Sequence, residues 1–149
     1  MEKEKISQKT KEFFEKMGVN VEIEAIENVD DTLKVKIKTS TKEIDLVGEK
    51  GKTLYAIQHL LKAMWKKEMK ENFYLDLDIN SFKEKRFQYL IEMAQRYADE
   101  VSLVKKEIIL EPLPPQERRL IHLELAKRTD VTTFSIGKGE HRRLVIKPC

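Results

Sequence analysis

Cysteine is almost absent from this chain: the only one is Cys149, the last residue. A disulfide framework within one chain is therefore excluded. One cysteine and three histidines, His59, His122 and His141, stand at spacings that make no zinc site. Glycine and proline are sparse too, with five and four in 149 residues, which rules out collagen-like and low-complexity classes. No apolar run is long enough to span a bilayer. The N-terminus, Met1-Glu2-Lys3-Glu4-Lys5, is charged with no apolar stretch behind it, so no signal peptide is visible and a cytoplasmic protein is expected. There is no glycine-rich Walker loop, and Ser, His and Cys form no recognisable triad.

Charge and apolar periodicity are abundant. Charged residues make up 37% and apolar residues 40% of the chain, with a net charge of only +3. Such a pattern argues against full disorder, because the apolar positions recur at regular spacing. The charge is unevenly placed. From Lys105 to Cys149 there are 10 basic and 6 acidic residues, whereas the 104 before them hold 19 and 20. The basic excess sits in the C-terminal third, where it would favour phosphate binding through counterion release.

The periodicity predicts an α+β chain. Ile6 to Met17 reads as a helix with Phe13, Phe14 and Met17 on its apolar side, ended by Gly18. Val19-Val21-Ile23-Ala25 and Leu33-Val35-Ile37 alternate with polar residues as two strands around an Asp30-Asp31 turn. A short helical turn is expected over Glu43 to Val47. Lys52 to Lys67 reads as a helix with Leu54, Ile57, Leu61, Met64 and Trp65 at helical spacing. Phe73-Leu75-Leu77-Ile79 makes a third strand, with Tyr74 on its other face. Asp76 and Asp78 share a strand face too, and a solvated face explains them better than a catalytic pair. A long helix follows, capped by Asn80 or Ser81 with Glu84 in capping-box spacing, and striped by Phe87, Leu90, Ile91, Ala94, Tyr97, Ala98 and Val101. A strand at Glu107 to Leu110, a helix from Gln116 to Arg128 behind Pro114-Pro115, and strands at Val131 to Ile136 and Arg142 to Lys147 complete the order.

Two motifs carry candidate chemistry. Gly48-Glu49-Lys50-Gly51 precedes a helix N-terminus. Glycines let a backbone pass close to a ligand, and the helix end presents N–H groups and a positive dipole. Lys50 and Lys52 add charge, while the carboxylate of Glu49 repels a phosphate. Taken alone, such a loop is more often a plain helix-capping turn. In the second motif, Arg118 and His122 lie one turn apart on one helix face. The stretch from Pro115 to His122 is followed in order by Thr133-Phe134-Ser135-Ile136-Gly137, Arg142 and Val145-Ile146.

That ordered set resembles the R-3-H domain, and the layout around Gly48 to Gly51 resembles a type II KH domain. Together with the long helix, the two resemble the Jag family (SpoIIIJ-associated, KH plus R-3-H proteins) over about Phe13 to Pro148. The resemblance implies a type II KH-like domain, α-β-β-α-α-β, over residues 1–80. A connecting helix over 81–105 and a β-α-β-β R-3-H domain over 106–149 complete the expected organisation. It implies binding of single-stranded RNA, with the choice between RNA and DNA left open, and neither catalysis, cofactor nor metal. Gly48, Lys50, Gly51, Lys52, Arg118, His122 and Arg142 are then the nucleic-acid-binding residues. A small KH-domain protein or another protein partner is a further expectation. Glu49 departs from the family's basic loop, and the extra N-terminal domain of many members is not expected here. The rival reading is a protein-interaction adaptor with a degenerate nucleic-acid site, which has no need of Arg118 paired with His122.

Overall fold

The computed structural model describes residues 2–68 and 73–149. Among the described residues there are four α-helices and six strands in two separate sheets, an α+β fold. The chain divides into two compact units, Met1–Glu84 and Lys85–Cys149.

The first unit opens with α1 (Lys3–Lys16). Its buried stripe is Ile6, Thr10 and Phe14, so the inward face lies one step round from the expected one and Met17 stays exposed. The hydroxyl of Thr10 donates to the Ile6 carbonyl at 2.7 Å, which satisfies it within the core. Gly18, at φ 81°, ends the helix. The Gly18 N–H donates to the Glu15 carbonyl and the Val19 N–H to the Phe14 carbonyl, both at 2.9 Å. This is a Schellman closure, with Val19 and Phe14 both buried beside it.

Strands β1 (Glu22–Val29) and β2 (Thr32–Lys38) form the expected antiparallel hairpin. Strict alternation in β1 breaks at a bulge between Ile23 and Ala25. The extra residue keeps Ile23 opposite Ile37 and sets Ile26, rather than Ala25, opposite Val35. After a 3-10 turn (Glu49–Gly51) come α2 (Lys52–Trp65) and β3 (Tyr74–Ile79), which pairs parallel to β2. The sheet order is β1-β2-β3. Leu33, Val35 and Ile37 stand opposite Leu75, Leu77 and Ile79, all buried, under Leu54, Ile57, Leu61 and Trp65 of α2. Met64 of the expected stripe is exposed.

The helical turn expected over Glu43 to Val47 is not formed. The Asp45 carboxylate instead accepts the N–H groups of Val47 at 3.1 Å and Gly48 at 2.9 Å. Such a local side-chain bond competes with helix formation, and five residues are too few to nucleate one. The expected capping box is also replaced. Asn80 and Ser81 both take left-handed conformations, at φ 55° and 56°. Asp78, only 6% exposed, accepts the N–H groups of Ile79 and Lys83 and so closes the first turn of the long helix. Asp78 is therefore a buried cap rather than part of a solvated face, and Asp76 pairs with Lys83 at 2.7 Å.

That helix is α3 (Phe82–Val104). In the second unit it is followed by β4 (Ile108–Ile109), α4 (Pro115–Leu125), β5 (Val131–Ile136), a 3-10 turn (Gly139–His141) and β6 (Arg143–Pro148). The sheet is antiparallel in the order β4-β6-β5. Leu90, Met93, Ala94, Ala98 and Val101 of α3 belong to the second core, with Ile121 and Leu125 of α4 and Val131, Leu144 and Ile146 of the sheet. The expected stripe begins too early: Phe87 is exposed and Met93 takes an inward place. Arg128, just past α4, holds three acceptors. It donates to Asp130 at 2.7 and 2.9 Å, to Asp99 at 2.8 Å and to Gln95 at 2.9 Å. No helix among the described residues is long and apolar enough to cross a membrane.

Candidate nucleic-acid interfaces

In the first unit, the loop Gly48 to Gly51 contains three residues at positive φ: Gly48 at 75°, Lys50 at 55° and Gly51 at 82°. A side chain at Gly48 would put its Cβ 2.9 Å from the backbone nitrogen of Thr53, and one at Gly51 would lie 2.7 Å from the Phe82 ring. Both glycines are thus required by the fold with or without a ligand. The loop is tied by the Gly51 N–H to the Gly48 carbonyl at 3.2 Å and the Leu54 N–H to the Val47 carbonyl at 3.0 Å. The N-terminus of α2 has no side-chain cap, and of its first N–H groups that of Leu54 is bonded back into the loop. Glu49 and Lys52 are exposed and Lys50 is half-buried. Lys50 is a non-glycine residue in a left-handed conformation, a strained arrangement held by the surrounding bonds.

The second site is built on α4. Pro115 opens the helix at its first position. Glu117, 9% exposed, turns inward to Arg86 of α3, which donates Nη2 to Oε1 at 2.9 Å and Nε to Oε2 at 3.1 Å. This ion pair raises the Arg86 pKa above its ordinary value, chiefly through the hydrogen bonds to Glu117. With Glu117 anchored inside, helical spacing turns Arg118, Arg119 and His122 outward. Arg118 donates Nε to the Leu113 carbonyl at 3.0 Å. His122 bonds through Nδ1 to the Thr133 hydroxyl of β5. Arg142 donates Nη1 to the Gly137 carbonyl at 2.8 Å and braces the turn after β5. Gly137 is at φ 88°, and a Cβ there would lie 2.9 Å from the His141 carbonyl oxygen.

Pro115, Arg118, Arg119, His122, Phe134, Ser135 and Arg142 line one open cleft of about 340 Å³. The three residues singled out from the second motif, Arg118, His122 and Arg142, are brought together there. Gly48, Lys50, Gly51 and Lys52 lie in the other unit and form a separate loop site. Sequence reasoning missed Arg119, although it stands three residues before His122 on the same helix face. It also missed the Thr133 hydroxyl that orients the histidine, and the exposed Phe134. Strand alternation offered a signal for both. Three arginines and a histidine at an open cleft suit a tetrahedral oxyanion, whose oxygens the guanidinium N–H groups can meet in pairs. No group of three or more His, Cys, Asp or Glu able to hold a metal occurs among the described residues.

Comparison with known proteins agrees with this geometry. The family model for the R-3-H domain matches residues 88–148, which take in most of α3, all of α4 and the second sheet. These features define an α+β protein carrying an R-3-H domain. The chain is 36% identical over 107 residues to the RNA-binding protein KhpB of Lactiplantibacillus plantarum, a match covering 72% of this chain and 33% of that protein. It is 34% identical over 110 residues to KhpB of Bacillus subtilis, covering 72% and 53%. It is 31% identical over 150 residues to KhpB of Clostridium symbiosum, covering 97% and 67%. The chain belongs to the KhpB family, the Jag family whose resemblance its motifs carry. The matches span about a third and about half of the first two relatives' lengths.

Proposed function

We propose that the chain binds single-stranded RNA and that the α4 cleft is its principal phosphate site. The observation that carries this reading is the convergence of Arg118, Arg119, His122 and Arg142 on one cleft. The printed names of the relatives, RNA-binding protein KhpB, support the same ligand. The role is binding, with Arg118, Arg119, His122 and Arg142 gripping phosphate and the Thr133 hydroxyl fixing the imidazole. Double substitution Arg118→Ala with His122→Ala is expected to weaken binding of a labelled oligoribonucleotide at least tenfold, about 1.4 kcal/mol. Melting temperature should stay near wild type, because both side chains lie outside the core. Unchanged affinity with an unchanged melting curve rejects the cleft as the site.

The first unit is read as a type II KH-like domain with Gly48, Lys50, Gly51 and Lys52 as its clamp. Support comes from the parallel pairing of β2 with β3 and from the glycine loop leading into α2. Glu49, exposed in that loop, makes it the weaker of the two sites. Glu49→Lys is expected to tighten RNA binding several-fold at low salt. No change in affinity means that the loop does not meet the RNA backbone.

A further inference from the structure

The outer face of the second sheet carries exposed apolar side chains on both of its edge strands. Strand register sets Ile109 of β4 opposite Val145 of β6, and Val145 opposite Phe134 of β5. One residue from each strand therefore forms a row across a single face. Alternation puts Arg143 and Lys147 on that same face, two residues to either side of Val145. The neighbours on β6 that point the other way, Leu144 and Ile146, belong to the second core. The row does not. Ile109 is 51% and Phe134 42% exposed, while Val145 between them is 2% exposed. The result is an apolar strip exposed at its two edge-strand ends, Ile109 and the Phe134 ring, and closed at Val145 between them, with a cation on each flank. Lys147 is exposed and Arg143 half-buried, with Nε toward the His141 carbonyl at 3.5 Å. Phe134 also borders the cleft of Arg118, His122 and Arg142, so strip and cleft are continuous at that residue.

We propose that this outer sheet face is the base-stacking half of the RNA interface. A single strand gripped by its phosphates in the α4 cleft crosses the β5 edge and stacks an unpaired base on Phe134, with Arg143 and Lys147 facing its backbone. Every base has a π-face, so the contact tolerates sequence. The flanking cations and the shared boundary with the arginine cleft favour a nucleic acid over an apolar protein partner as occupant. The inference rests on the RNA-binding reading.

The test is titration of the full chain with a short labelled oligoribonucleotide at two salt concentrations. Phe134→Ala is expected to raise Kd roughly tenfold with no change in salt slope, since stacking releases no counterions. Phe134→Tyr should bind like wild type, and Lys147→Gln should make the slope shallower by about 0.7. Should the alanine variant melt early, Phe134→Leu decides, because it keeps apolar bulk without the ring: weakened binding supports stacking, unchanged binding overturns it. Wild-type binding with Phe134→Ala equally tight overturns the inference and leaves the strip to a protein partner. If wild type binds no RNA at either salt, the reading beneath the inference fails instead.

Discussion

At Gly48 the chain turns through φ 75° with no room for a Cβ beside the Thr53 nitrogen. Gly48→Ala therefore strains the loop whether or not RNA is present. It is expected to lower stability by about 1–3 kcal/mol, read as a drop in melting temperature without ligand. A wild-type melting curve for that variant contradicts the steric account. Glu117 shows the opposite limit of legibility. It stands inside the motif between Pro115 and His122, yet it is a buried structural residue whose partner, Arg86, lies 31 positions away. No local pattern announces a pair so distant. Removing the carboxylate with Glu117→Ala leaves a half-buried guanidinium unsatisfied, and a loss of about 2 kcal/mol is expected by denaturant titration. Arg118 and His122 were legible because their spacing and their downstream companions appear in order; Thr133 and Arg119 carried a spacing signal only, because their roles depend on what they face.

Among the elements, periodicity carried most of the information. Strands with period two and helices with apolar stripes formed near their expected bounds, as at Val131 to Ile136. Failures came where one side chain overrode the local pattern. Asp45 held the loop open against a helix, and Asp78 took the cap from Ser81 across a left-handed pair of residues. The β1 bulge is another, since it slips the alternation by one residue to keep Ile26 inward. The link after α4 makes a pH prediction at this scale. Hydrogen bonds from Arg128 hold the Asp130 carboxyl well below the usual carboxylate range. A depressed folded-state pKa contributes stability that is full above the ordinary aspartate value, about 3.9, and is lost as pH falls through the lower one. Wild-type melting temperature should therefore fall as pH drops below about 4, and Asp130→Asn should flatten part of that fall. Parallel curves for the two proteins contradict the assignment.

Over the whole molecule, the two units present unequal surfaces. The N-terminal unit offers one strained glycine loop with a carboxylate in it; the C-terminal unit offers a cleft with three arginines and a histidine. The basic excess after Lys105 already pointed to the second of these. What the sequence could not display was the sheet face, because its row of Ile109, Val145 and Phe134 assembles only when three strands align. Phosphate contacts at the α4 cleft are proposed to drive RNA binding. The most direct test is the affinity of the full chain for single-stranded RNA as a function of salt. Three arginines on phosphates predict a log–log slope of about −2 or steeper, at about −0.7 per contact, and a shallower slope for Arg118→Ala with His122→Ala. Absence of binding at low salt, or an affinity that does not change with salt, contradicts it.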